Sequence, residues 1–205
     1  MENLGLFITF EGADGCGKTT QIELLNKYLQ EKGFKTLVTR EPGAKGLGEK
    51  LREILLNYDG EVSPTCESFL FLADRAQHVD CIIKPALKNG IIVLCDRHTD
   101  STVAYQGYGR QLDIEQIKKL NNIAVGDLKP DLTIVFDIDI ETSMQRVGST
   151  KDRMESAGIE FFKRVREGFL AIAKEEPNRV KVINSADTIE NIHKQVVKLV
   201  EEKNG

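Results

Sequence analysis

The sequence predicts an α/β protein built on one parallel sheet of five strands, with helices covering both faces. Two observations predict it. Five short apolar runs, at residues 6–10, 36–39, 91–95, 132–138 and 180–183, recur along the chain with helical patterns between them. The run at 91–95 is apolar throughout, as a strand buried on both faces requires. Strands alternating with helices in this way pair in parallel through right-handed crossovers.

The elements follow in order. Residues 6–10 form a strand that stops at Glu11-Gly12, and a glycine-rich stretch leads into a helix over 18–30 with Leu24, Leu25 and Leu29 on one face. Gly33 closes that helix, residues 36–39 form the second strand, and Glu41-Pro42-Gly43 breaks it. Residues 50–56 are helical. A longer helix starts where Ser63 can cap and Pro64 occupies the first turn, with Glu67 as a first-turn anion, and continues toward Lys88 before Gly90 ends it. After the strand at 91–95 come a helix around 114–125, a strand at 132–138, a helix at 159–175, a strand at 180–183 and a closing helix at 188–202. Without repeats or linkers, residues 1–205 read as a single domain, a usual size for one core.

A formal charge of −4 argues against nucleic acid as the main partner, because duplex binding needs a basic excess. No apolar run is long enough for a membrane span, and Met1-Glu2-Asn3 lacks the basic start of a signal peptide, so a cytoplasmic protein is expected. Cys16, Cys66, Cys81 and Cys95 are scattered without zinc or disulfide spacing and read as free thiols.

The chemistry is carried first by Gly12-Ala13-Asp14-Gly15-Cys16-Gly17-Lys18-Thr19, which satisfies the phosphate-loop pattern G-x-x-x-x-G-K-[ST] between a strand and a helix. Glycines let backbone N–H groups converge on phosphate oxygens, and the helix N-terminus adds positive potential. Lys18 can reach the β- and γ-phosphates, and Thr19 can ligate Mg²⁺. Asp96-Arg97 ends the buried third strand, where open α/β sheets gather their ligands. Asp96 can hold Mg²⁺ through water and Arg97 can bridge donor and acceptor phosphates; a strand-end salt bridge is the plainer alternative. Phe71 and Arg75, four apart on a helix, could offer a ring and a planar donor fork to a base, although such a pair can equally be a core aromatic and a solvated arginine. Around 147–157 the rhythm lapses into a polar loop with Lys151 and Arg153, preceded by Arg146. It fits a lid that excludes water from phosphoryl transfer, and it also fits a plain solvated loop.

These motifs, with Thr39-Arg40-Glu41-Pro42-Gly43, Phe71-Leu72-Ala73-Asp74-Arg75, Asp96-Arg97-His98 and Ala104-Tyr105-Gln106-Gly107 in order, resemble the bacterial type of the thymidylate kinase family over nearly the whole chain. The resemblance implies a P-loop NTPase three-layer αβα sandwich, a single nucleoside monophosphate kinase domain with a short lid at about 147–157, and phosphorylation of dTMP to dTDP with Mg-ATP toward dTTP. It implies that Phe71 stacks on thymine, that Arg75, Thr102 and Gln106 meet its polar edge, and that Arg52 and Arg97 hold the acceptor phosphate. Asp14 would contact the sugar 3′-hydroxyl, Tyr105 would crowd the 2′ position, and Pro42 would join the substrate-binding set. ATP would lie on Gly12 to Thr20 of the loop, Thr20 included, with Mg²⁺ on Thr19 and Asp96. Since Asp14 stands in the loop, the catalytic cation would be Arg153 of the lid, with Arg146 flanking adenine and the Asn184-Ser185-Ala186 turn at its edge. The family is usually homodimeric. Three positions depart from its pattern: Ala44 replaces a second glycine, His98 a common tyrosine, and the lid is short and poor in arginine. No base role falls to His98, because a phosphate monoester is already a competent nucleophile. A kinase for another monophosphate would keep the loop and lose the Phe71/Arg75/Gln106 set. A guanine-nucleotide switch would need Asn-Lys-x-Asp after a late strand, and none stands there.

Overall fold

Alternation along the first strand sets the layers. In the computed structural model, which describes residues 5–147 and 158–204, β1 (Phe7–Glu11) turns Ile8 and Phe10 to one face and Phe7, Thr9 and Glu11 to the other, all of them buried. Two-sided burial requires helices on both faces. They come as α1 (Lys18–Glu31), α2 (Leu47–Asn57), α3 (Pro64–His78), α4 (Lys84–Lys88), α5 (Thr99–Thr102), α6 (Ile114–Val125), α7 (Ile140–Val147), α8 (Ile159–Glu175) and α9 (Ile189–Asn204). With β2 (Thr36–Arg40), β3 (Ile92–Asp96), β4 (Leu132–Asp137) and β5 (Val180–Asn184), the sheet runs β2-β3-β1-β4-β5, every neighbouring pair parallel.

On the Ile8/Phe10 face, Leu25 of α1 and Val196 of α9 pack on Leu94, Ile134 and Phe136. The Phe10 and Phe136 rings stack at 6.2 Å. On the opposite face Val165 and Phe169 of α8 cover Val135 and Val180, while Val79, Ile83 and Leu87 cover Phe7, Val93 and Cys95. Each of these large side chains contributes roughly 1.5–3 kcal/mol by leaving water. Among the described residues no helix is long and apolar enough to cross a membrane.

The five strands fall where the apolar runs predict them, with β1, β2, β3 and β5 each reaching one residue further, to Glu11, Arg40, Asp96 and Asn184. Ser63 accepts from the Cys66 N–H to cap α3, with Pro64 in its first turn. The long helix expected to reach Lys88 is interrupted: a π-helical stretch, Val79–Ile83, separates α3 from α4. Such a stretch widens a turn by one residue without breaking the helix, and Pro85, in the first turn of α4, stands two residues after it. A second one, Val103–Gly109, follows α5, and neither these elements nor α7 had a periodic signal long enough to read.

Candidate active site

The parallel register places the carboxyl ends of three strands together, with Phe10 of β1 and Arg40 of β2 opposite Asp96 of β3. The phosphate loop leaves β1 there, at φ values of 132° for Gly12, 75° for Gly15 and 94° for Gly17, which only glycine adopts without strain. Gly17 is the residue from which α1 begins. Lys18 lies back along the loop, its Nζ donating to the carbonyls of Gly12 at 3.1 Å and Ala13 at 2.9 Å. A Cβ on Gly12 would stand 2.6 Å from the Phe136 carbonyl oxygen. Gly12→Ala is therefore expected to displace the loop from β4 and to weaken ATP binding by at least about tenfold, about 1.4 kcal/mol, as isothermal titration with ATP would read.

Arg97 follows β3 with φ 70°, in the left-handed region that residues with a side chain rarely occupy. Its Nη2 donates to Asp14 Oδ1 at 2.7 Å and its Nη1 to Ser101 Oγ at 3.2 Å, and its guanidinium lies 5.0 Å from the Tyr105 ring centre. Burial alone would raise the Asp14 carboxyl, but the Arg97 and Lys18 charges outweigh it and hold Asp14 at about 2. The sign follows: a folded pKa below the unfolded value of 3.8 contributes stability above about pH 4 and loses it as pH falls toward 2. Urea denaturation between pH 4 and pH 2 should show a shallower loss of stability in Asp14→Asn than in the natural chain.

A cavity of about 300 Å³ opens beside the loop. Asp14 of the phosphate loop lines it with Arg52, Arg97, Phe71, Thr102 and Gln106. Phe71 is half-buried, and Arg52 Nη1 donates to the Pro42 carbonyl at 2.8 Å. Pro42 is joined to Glu41 by a cis peptide. Arg75 also lines the cavity, yet it is only 1% exposed. Its Nε donates to Glu41, Nη1 to Thr102 Oγ1 and Asn121 Oδ1, and Nη2 to the His98 carbonyl, all between 2.7 and 2.8 Å. The solvated-arginine alternative is thus corrected: the guanidinium is a buried hub with one edge to the cavity.

Glu41 anchors this hub, taking His78 Nδ1 at 2.8 Å and His98 Nδ1 at 3.0 Å as well as Arg75. Burial opposes its charge, but Arg75 and His98 hold its carboxyl well below the usual range, while burial presses the His98 imidazole toward the neutral form. Glu67 is the first-turn anion of α3 that the sequence predicts, and it has a further role. It is fully buried, accepts from Gln106 Nε2 at 3.0 Å and pairs with Arg110, so it orients Gln106 across the cavity wall. Arg40, Glu41, Leu56 and Ser101 also line the cavity, although no role fell to them from spacing. The Thr39-Arg40-Glu41-Pro42-Gly43 string held the signal for two of them.

The thymidylate kinase family model matches residues 10–196. The chain belongs to the thymidylate kinase family. It is 48% identical to the thymidylate kinase of Pelotomaculum thermopropionicum, over 97% of this chain and 94% of that protein. It is 46% identical to that of Desulfovibrio desulfuricans, over 91% of each. The crystal structure of thymidylate kinase from Ehrlichia chaffeensis superposes with a TM-score of 0.79 at 40% identity, covering 96% of this chain and 98% of that one.

For a thymidylate kinase the metal question falls on two groups. Asp96 Oδ1 is buried without a hydrogen-bond partner among the described residues, and Thr19 lines the same cavity; an orphaned carboxylate oxygen beside a hydroxyl suits an oxygen-seeking cation such as Mg²⁺. Glu41, Cys95 and His98 also cluster, but the Arg75 guanidinium already neutralises that carboxylate, which leaves a cation little reason to enter. Arg146, exposed on α7, donates to the Gly15 carbonyl at 3.5 Å and so lies beside the phosphate loop. At the end of β5, Ser185 N–H and Oγ both donate to the Asp137 carbonyl and Asn184 Oδ1 receives the Ala186 N–H, fixing that turn. The lid at about 147–157 and Arg153 lie outside the described residues.

Proposed function

We propose that this chain transfers the γ-phosphoryl group of ATP to dTMP, giving ADP and dTDP, a step toward the dTTP used in DNA replication. The observation that carries it is the cavity beside the phosphate loop, whose lining combines the cations Arg52 and Arg97 with the Phe71 ring and the Gln106 amide. A nucleoside monophosphate carries the matching groups, an anionic phosphate and a flat base with polar edges.

In this reading Phe71 stacks on thymine while Arg75, Thr102 and Gln106 meet its polar edge. The hydrogen bonds from Arg75 to Glu41 and Asn121, and from Gln106 to Glu67, hold these groups before substrate arrives, so little ordering is lost on binding. Arg52 and Arg97 hold the acceptor phosphate, Asp14 receives the 3′-hydroxyl, and Tyr105, packed against the rings of Phe161 and Phe162, crowds the 2′ position. Pro42 fixes Arg52 through its carbonyl. ATP lies on Gly12, Ala13, Asp14, Gly15, Cys16, Gly17, Lys18, Thr19 and Thr20, with adenine between Arg146 and the Asn184 turn. Thr19 and Asp96 would hold Mg²⁺, which would supply positive charge to offset that of the ATP phosphates. Lys18 exchanges its two loop carbonyls for phosphate oxygens, and Arg97 spans donor and acceptor, so both stabilise charge on the transferred group. Arg153 of the lid supplies the remaining cation. No base is required, because the acceptor phosphate is nucleophilic as it stands.

Phe69 of α3 and Ile123 of α6 are 53% and 79% exposed on helices that pack against each other, which supports a homodimer. The substrates, charged metabolites of the cytoplasm, place the enzyme there. Residues 1–205 act as one kinase domain.

A coupled ADP-release assay with Mg-ATP and each of dTMP, dUMP, UMP, CMP, AMP and GMP tests the reading. Strong preference for dTMP is the expected result. Preference for a ribonucleotide would keep the kinase and overturn the base pocket, and release indifferent to every acceptor would indicate a nucleotide hydrolase.

A further inference from the structure

β1 carries an acidic side chain where its alternation calls for a core residue. On the face that begins with Phe7, Glu11 is fully buried immediately before the phosphate loop. None of the roles above uses it. A buried carboxylate persists only where donors converge on it, so the identity of those donors states what it is for.

Both donors belong to the segment that carries Arg97. Glu11 Oε1 accepts the His98 backbone N–H at 2.8 Å, and Glu11 Oε2 accepts from Ser101 Oγ at 2.5 Å. Ser101 Oγ in turn accepts from Arg97 Nη1 at 3.2 Å. The first bond grips the residue that follows Arg97, whose φ of 70° needs holding from outside. The second reaches the guanidinium through one hydroxyl. Asp14 grips the other guanidinium nitrogen directly. Arg97 is therefore tied at backbone and side chain to the strand and loop that carry the donor phosphate site.

We propose that Glu11 is a positioning residue for the transfer: it keeps Arg97 in its left-handed conformation and, through Ser101, aims the guanidinium across the gap between the phosphate loop and the acceptor cavity. This rests on the role given to Arg97 in the proposed function. Glu11 touches no substrate, so its removal acts on the acceptor side through Arg97 and leaves the phosphate loop's grip on ATP nearly intact.

The test combines crystal structures with steady-state kinetics on the full chain. In the Glu11→Ala structure Arg97 leaves the left-handed region. In Glu11→Gln, whose amide oxygen still accepts the His98 N–H, it stays there. In Ser101→Ala the backbone stays and the guanidinium loses its second anchor. Kinetically, Glu11→Ala and Ser101→Ala lower kcat/KM for dTMP at least about tenfold, with KM for ATP within about twofold, and Glu11→Gln recovers most of the Glu11→Ala loss. In an Arg97→Ala background, adding Ser101→Ala costs less than about twofold, because the group it aims is gone.

An Arg97 φ unchanged in Glu11→Ala, or equal losses from Ser101→Ala with and without Arg97, would overturn the proposal. Should Glu11→Ala not fold, Ser101→Ala and Glu11→Gln carry the same comparison. If the natural chain shows no dTMP-dependent ADP release, the proposed function fails, and the position of Arg97 in the three structures alone decides for or against Glu11.

Discussion

Replacing Lys18 with alanine is expected to lower kcat about a hundredfold to a thousandfold while the ligand-free protein keeps most of its stability. One preorganised donor facing charge that develops in a transition state is worth about 10²–10³ in rate. Lys18 is that kind of group. Its ammonium is held against the Gly12 and Ala13 carbonyls of the loop that binds ATP in the proposed function, and the side chain is only 6% exposed. Losing two such bonds beside an open cavity costs about 1–2 kcal/mol, since water can replace the ammonium there. Steady-state kinetics read beside a ligand-free thermal melt check both halves. An activity that survives in Lys18→Ala would place the phosphate-binding charge elsewhere; a collapsed melt would make the loss one of folding.

Arg75→Ala should do the reverse and damage the fold as much as the pocket. Removing the guanidinium strips Glu41, a fully buried carboxylate, of its strongest counter-charge, and it leaves Asn121 Oδ1 and the His98 carbonyl without their donor. Breaking a buried pair from one side costs roughly 3–5 kcal/mol. Urea denaturation should show the midpoint falling at unchanged slope. The deficit should also depend on pH. With Arg75 gone, one of the charges that lower the buried His98 imidazole is lost and its folded pKa rises toward the unfolded value, so the variant gives up less stability than the natural chain as pH falls below about 6.5. The loss in Arg75→Ala is therefore expected to be larger at pH 8 than at pH 5.5. An equal loss at both would mean that Arg75 does not hold the His98 pKa down.

Much of the architecture was legible because it is written in short-range patterns. The strand around residues 91–95 needed only its unbroken apolar run, and α6 and α8 needed only a 3.6-residue period. The phosphate loop was legible for a stronger reason: its glycines at positive φ and its lysine must follow one another in the chain to do their work. The cavity wall was harder. Arg75 reads as half of an i, i+4 pair with Phe71, yet its burial depends on Glu41, Thr102 and Asn121, from 27 to 46 positions away. Glu67 at the start of α3 reads as a helix-end anion, and only the return of Gln106 and Arg110 shows it to be a clamp. Chain spacing carries no record of such meetings, since loops of very different lengths close at similar cost.

By itself, then, the sequence determined the α/β class, the five strands, the phosphate loop and the families of residues around it, because each of these depends on neighbours a few positions apart. The tertiary structure alone decided the strand order β2-β3-β1-β4-β5, the burial of Arg75 with Glu41, His78 and His98, and the tie from Glu11 through Ser101 to Arg97. The physical reason is the same for all three. A buried polar group takes its state from the donors and charges that the fold brings to it, and those come from strands and helices remote in the chain.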